Sequence, residues 1–231
     1  VPDACLDTVA GFEPCYTTIP LSADADGRLC LSATEVILQQ AEAATAVALG
    51  PGLGRSTELR QLVAILYQEV AKPMVVDADG LNALAEQADV WCRPGGPRIL
   101  TPHPGEFARW LGRSIPAEQR SAIARECAAR CGVVVVLKGH GTVVTDGARN
   151  EVNTTGNPGM STGGTGDVLT GLIAALCAQS MEPYDAARLG VHIHGLAGDL
   201  AAEELGEESL TARDLPRFFG RAFQSIRRGA D

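Results

Sequence analysis

The sequence predicts an α/β fold in three layers, with helices on both faces of a mostly parallel central sheet. Three observations carry that expectation. Strand-like and helix-like segments alternate along most of the 231 residues. The run "VVVVLKG" (133–139) is apolar through Leu137, the pattern of a strand buried on both faces. Four turns of unusual composition, "GPGLGR", "DADGLN", "TPHPGE" and "KGHGT", each follow a strand-like run. In sheets of this kind ligands gather at the carboxyl ends of strands.

The elements follow in order. "CYTTIPL" (15–21) reads as a strand. The helix over 32–45 opens with Ser32 as N-cap and Glu35 three residues on, a capping box ahead of apolar residues at helical spacing. "AVALG" (46–50) is a short buried strand, 57–71 is helical, and "PMVVDAD" (73–79) is a strand leading to a short helix near 80–88. "RILTPHPGE" (98–106) is a strand running into a turn, with a helix to about Leu111 and another over 117–131. "TVVTDG" (142–147) and "EVNTT" (151–155) pair as a hairpin around "DGARN". The segments 167–179, 183–205 and 211–228 are helical. No repeat or low-complexity linker divides the chain.

Composition excludes some classes of function. With 45% hydrophobic residues the chain can bury a sizeable core, and its formal net charge of -9 repels nucleic acid and anionic membranes. No apolar run approaches the roughly 18 residues of a membrane span, and no secretory signal is expected. The seven cysteines show no CxxC or Cys/His metal spacing. Cys127 and Cys131, four apart on an expected helix, read as packing residues. Unpaired thiols and a cytoplasmic location are the simplest reading.

The stretch "GNPGMSTGGTGD" (156–167) carries the chemistry, with five glycines in twelve positions and a closing aspartate. Glycines let backbone N–H groups turn into a concavity, and the helix that starts near Asp167 aims its free N–H groups and positive dipole end at the same space. Gly163, Gly164, Thr165 and Gly166 would then form a hole for a phosphate. No Lys-Ser/Thr follows, so this is not a Walker A loop, and it does not open an early βαβ unit as a dinucleotide fingerprint does. Asp167 would repel a phosphate bound beside it. It either caps its helix or takes a proton from a hydroxyl that is about to meet that phosphate.

This stretch resembles the signature of the ribokinase-like NAD(P)H-hydrate dehydratases. The similarity extends to "GPGLGR" (50–55), "VVDADGLNAL" (75–84), "ILTPHPGEFARWLG" (99–112), "LKGHGTVVTDG" (137–147) and "HGLAGDLAA" (194–202), in the family's order. "TPHPGE" and "GNPGM" distinguish the dehydratases from the kinases that share the GTGD element.

The resemblance implies a ribokinase-like α/β/α sandwich and an ADP-dependent loss of water from the S epimer of NADHX or NADPHX. It assigns Lys138, Gly139, His140, Gly141 and Thr142, with Asn157 and the glycine-loop residues Gly163, Gly164, Thr165 and Gly166, to the nucleotide. Gly52, Gly54, His103 and Glu106 match positions lining the hydrated dinucleotide, and Asp167 matches the catalytic residue beside its hydroxyl. ADP is the implied co-substrate, with ATP as the alternative. Mg²⁺ is implied as a bridge between phosphates, with ligands that no motif names. Small molecules are the expected partners, in a homo-oligomer that the family makes a tetramer.

Several residues keep a second reading. Glu106 also suits the first turn of a helix by charge alone. For Asp77 and Asp79, turn capping and a water-bridged Mg²⁺ stand equal. His192 and His194 lie two apart on a helix and cannot share a metal, and His194 reads as structural. The family's domain opens with a further strand, glycine turn and helix before the segment aligned with "VPDACL". Residues 1–231 are therefore expected to form a single dehydratase domain lacking that opening, with an epimerase domain preceding it in a longer protein. The rival classes are an ATP-dependent small-molecule kinase and a nucleotide-sensing module.

Overall fold

The computed structural model describes residues 1–13, 15–87 and 89–228. In chain order the helices and strands are α1 (Leu6–Ala10), α2 (Thr34–Ala43), β1 (Val47–Leu49), α3 (Thr57–Glu69), β2 (Met74–Val76), α4 (Ala78–Ala85), β3 (Arg98–Leu100) and α5 (Pro104–Leu111). They continue with α6 (Arg120–Cys131), β4 (Val134–Leu137), β5 (Val143–Thr145), β6 (Asn150–Val152), α7 (Thr165–Ala178), α8 (Pro183–Leu205) and α9 (Leu215–Arg228). The strands form one sheet in the order β1-β2-β3-β4-β5-β6. β1 to β4 run parallel, and the β5–β6 hairpin closes the sheet antiparallel.

The period-2 side-chain alternation of the strands builds the layers. Met74 and Val76 on β2, Leu100 on β3 and Val135 and Leu137 on β4 pack under α3, α4, α5 and α6. Val75, Ile99, Val134 and Val136 point the other way, onto α7, α8 and α9. Both faces of the parallel strands are thus covered, as their unbroken apolar runs require. The expected three-layer, mostly parallel architecture is the one observed.

Buried Arg98 locks β3 to the end of α3. It is 1% exposed and has no carboxylate partner among the described residues. Its guanidinium donates to the carbonyls of Tyr67 (2.7 Å), Lys72 (3.1 Å), Pro97 (3.0 Å) and Val70. Those oxygens include carbonyls at the negative end of α3, which satisfy the cation without a counter-ion. Burial pushes its pKa down to about 10.

Four local expectations need correction. Residues 15–21 form no strand. Leu21 makes a single bridge to Pro2, and Pro2 and Pro20 lack the N–H groups that a longer ladder would use. Ser32 does not cap α2; its N-cap is Ala33, without a side-chain bond, and residues 31–33 form a 3₁₀ turn. Glu58 of α3 takes over by accepting from the Leu31 N–H at 2.7 Å. The strand at 73–79 stops at Val76, because Asp77 caps α4, and the expected helix end at residue 88 lies outside the described residues. Finally, Cys131 is joined to Cys92 in a disulfide, so the reading of all cysteines as unpaired fails for these two. A separation of 39 residues hides that pair from the sequence.

Arg98→Met should destabilise the chain by on the order of 3 kcal/mol, because several buried carbonyls lose their donor together. Arg98→Lys should recover less than half of that, since a point charge cannot serve four separated oxygens. Urea unfolding checks both, and an unmoved midpoint for Arg98→Met would contradict the role given to this residue.

Candidate active site

The parallel strands deliver their carboxyl ends to one rim. The Asp77 N–H donates to the Leu49 carbonyl (3.0 Å), the Thr101 N–H to Val76 (3.1 Å) and the Lys138 N–H to Pro102 (2.9 Å). The turns after β1, β2, β3 and β4 are therefore stitched side by side, as their shared placement in the sequence predicts.

Asp77 lies at the bottom of this rim and is 1% exposed. One carboxylate oxygen accepts from its neighbour's Ala78 N–H (2.9 Å) and from Lys138 Nζ (2.6 Å). The other accepts from the Thr170 hydroxyl at 2.8 Å. Lys138 accordingly turns inward rather than out to solvent. Ala78 holds a left-handed φ of 48°, a conformation costly for a residue with a Cβ. Across that strained residue Asp79 faces the opposite way. It accepts from the Gly54 N–H at 2.9 Å and lies 3.7 Å from Arg55.

The glycine-rich loop closes over this base. Gly164 is the N-cap of α7 with φ 90°, and no side chain caps the helix. A Cβ on Gly166 would come within 3.1 Å of Lys138 Nζ and 3.6 Å of the Asp77 carboxylate, so a side chain here would crowd the ion pair. α7 starts at Thr165, two residues before the expected start, which puts Asp167 in the first turn rather than at the cap. Its carboxyl has no hydrogen bond to any described residue, and the residue is exposed. Partial burial, and after it the nearby Asp77 charge, push its pKa up, while Lys138 opposes the shift.

His194 of α8 supports the loop from behind. Its Nε2 lies 2.9 Å from the Thr165 carbonyl, so that nitrogen carries the proton. Burial pushes its pKa down to about 4 and keeps the ring neutral. The structural reading of His194 therefore holds.

The remaining expected residues divide into groups. His103 caps α5 through Nδ1, accepting from Gly105 at 2.9 Å, while Glu106 returns the bond from the His103 N–H at 2.7 Å. Glu106 is thus a buried member of a capping box, and His103 remains exposed at the rim. Gly52 and Gly54 lie in the turn after β1, and a cleft of about 260 Å³ adjoins Gly54, Arg55, Asp79 and Asn82. Gly139, His140, Gly141 and Thr142 form the β4–β5 turn, pinned by Thr142 Oγ1 on the Gly139 carbonyl at 2.9 Å. Gly163 is exposed, with open space where a Cβ would stand. Asn157 points away from the glycine loop's base, capping its own turn and donating to Asp199 of α8 at 3.0 Å.

The structure thus groups Lys138, Gly166 and Asp167 about Asp77, and ties Gly54 to Asp79. Thr170 escaped sequence reasoning, although it lies three residues beyond Asp167 on the same helix face. Asp199 lies within the matched stretch 194–202 but was given no role. The described residues contain no cluster of three or more acidic, His or Cys side chains able to hold a metal. The oxygens of Asp77 and Asp79 are engaged within the chain, so this rim does not fit a protein-built Mg²⁺ cage. Asp77 caps α4 and pairs with Lys138, and Asp79 holds the Gly54 N–H.

Three comparisons bear on this site. A family profile described as NAD(P)H-hydrate dehydratase matches residues 17–219. Bifunctional NAD(P)H-hydrate repair enzymes from Thermofilum pendens and Moorella thermoacetica are 41% and 44% identical, over 90% and 87% of this chain. The chain spans 40% and 38% of their respective lengths. An ADP/ATP-dependent NAD(P)H-hydrate dehydratase from Bacillus subtilis, co-crystallised with ATP and Mg²⁺, is 30% identical with a TM-score of 0.77, covering 97% of this chain and 76% of that one. A hydroxyethylthiazole kinase from Pyrococcus horikoshii shares the fold, at 21% identity and a TM-score of 0.67 over 94% of this chain and 84% of that one.

His194 sets a pH limit on stability. Unfolded, its imidazole protonates near 6.5, whereas folded it does so near 4. Between these values the unfolded state binds more protons, so stability falls as pH drops through that window. The loss amounts to about 3 kcal/mol at most. Urea unfolding near pH 7 and near pH 4 should show a smaller loss for His194→Gln than for the wild type, and parallel losses would count against this assignment.

Proposed function

This chain belongs to the NAD(P)H-hydrate dehydratase family, and we propose that it removes water from (6S)-NADHX and NADPHX with ADP as phosphoryl donor. The observation that carries this reading is a carboxylate without a hydrogen-bond partner among the described residues, Asp167, beside a helix N-terminus that no side chain caps.

The chemistry follows from leaving-group quality. Hydroxide leaves carbon poorly and phosphate leaves it well. Asp167 takes the proton of the C6 hydroxyl as its oxygen bonds to the terminal phosphorus of ADP, and the bridging P–O bond breaks to release AMP. Loss of phosphate from C6 and of a proton from C5 then restores the ring's double bond. The raised pKa of Asp167 suits it to general-base work, because proton affinity is matched nearer to neutral pH. The N–H groups of Thr165 and Gly166 receive the phosphoryl oxygens, as helix N-termini do for anions. The β4–β5 turn holds the adenosine side, and the turns of Gly54 and His103 hold the hydrated dinucleotide. Mg²⁺ would reach the site on the nucleotide's phosphates, with water completing its shell.

Because the curated relatives are bifunctional and more than twice as long, the chain is read as the dehydratase portion of such a repair enzyme. An epimerase portion would supply the S substrate. The reading also carries a cytoplasmic location, beside the nicotinamide pool, and a homotetrameric assembly. Among the described residues no helix is long and apolar enough to cross a membrane.

Asp167→Asn should reduce dehydration on the order of 10²–10⁴-fold, followed as recovery of reduced-nicotinamide absorbance. Calorimetry should find its ADP affinity unchanged or tighter, since a negative charge beside the phosphates is gone. Free phosphate and AMP are the expected products. Near-normal turnover by Asp167→Asn would remove this mechanism, and a stable phosphorylated alcohol would make the chain a kinase.

A further inference from the structure

We propose that Asp77 is a positioning residue for the general base: it holds the Lys138 ammonium beneath Gly166, and the pair together sets the charge that Asp167 meets. The inference rests on the proposed dehydratase reading for its consequence, but its evidence is geometric. A carboxylate with 1% exposure is engaged by a lysine at 2.6 Å, a hydroxyl from α7 at 2.8 Å and the backbone at 2.9 Å. The hydroxyl is that of Thr170, on the helix that carries Asp167. Asp77 therefore joins β2, the end of β4 and α7 through one side chain. Gly166 lets the pair approach to just under the residue preceding Asp167.

The charged groups on the elements packed around Asp167 have defined places among the described residues. From the end of β2 comes Asp77, and from the end of β4 comes Lys138. α8 contributes His194, neutral and bonded to the Thr165 carbonyl, and Asp199, engaged by Gly156 and Asn157. The turn packed on Gly164 through Ala212 carries exposed Arg213, and Asp214 bonded to Thr211. α7 has no other charged side chain. Asp77 and Lys138 act on the Asp167 proton in opposite senses.

Their removal should therefore have opposite effects. Asp77→Asn keeps an acceptor for Thr170 but deletes the negative neighbour and leaves the ammonium unopposed, so Asp167 should titrate lower. Lys138→Gln keeps a donor for Asp77 but deletes the cation, so Asp167 should titrate higher. Each shift should be about one pH unit.

The Asp167 carboxyl can be followed directly by ¹³C NMR titration of the resting protein, its signal identified by its loss in Asp167→Asn. Each variant carries its own signed expectation, so either one alone tests the proposal if the other fails to fold. Opposite displacements support it. No displacement, or displacement in the same direction, overturns it. That readout needs no turnover, so a failure of the dehydratase reading shows separately, as absent cofactor recovery by the wild type. In the active enzyme the acid limb of the kcat profile should move with the NMR titration, which a purely structural role would not produce.

Discussion

The ion pair between Asp77 and Lys138 is the interaction on which the rest of the site depends. Breaking a buried pair by removing one partner costs far more than the pair itself contributes, because the other charge stays behind without water. Here the carboxylate has three kinds of donor and no solvent, and the lysine is anchored through its own backbone to β3's extension at Pro102. A displacement of any one of β2, β4 or α7 would strand a charge. The arrangement fixes the relative height of three elements from different parts of the chain, and the glycine loop rests on the result.

The hydrophobic layers supply the rigidity that this polar centre needs. Both sheet faces are buried by alternating strand residues, and Arg98 closes the end of α3 without a carboxylate. At the rim, strain sits at Ala78, between a carboxylate that faces Lys138 and Thr170 and one that faces the Gly54 turn. The surrounding contacts over-determine that backbone, the condition under which a left-handed alanine persists. A single turn thus orients both halves of the rim.

Much of this was legible in the sequence, for identifiable reasons. The run 133–137 announced a strand covered on both faces, and the four turns announced their common edge, because periodicity and turn chemistry are local. The glycine loop was legible as the turn that opens a helix, which starts two residues earlier than expected. What escaped was non-local. Glu58 replaces the expected Ser32 cap from another helix, and Cys92 meets Cys131 across 39 residues. The resemblance gave Lys138 to the nucleotide, and nothing local announced Asp77, 61 residues away, as the group that holds it. Glu106 matched a ligand-lining position by resemblance alone, and in the structure it makes a capping box with His103. Asn157 belongs to the signature by pattern, yet its amide is committed to α8.

The uncapped start of α7 has a thermodynamic consequence of its own. Most helices end their first turn with acceptors supplied by the chain, whereas here a glycine leaves those donors for an incoming anion. On the proposed reading the phosphates of the nucleotide are the missing cap. Occupancy then enters the folding equilibrium as RT ln(1 + [L]/Kd), about 2.7 kcal/mol when ligand exceeds Kd a hundredfold. Adenylate supply would thereby govern how often this loop and the helix behind it open, and how long the protein survives proteolysis, apart from any effect on turnover.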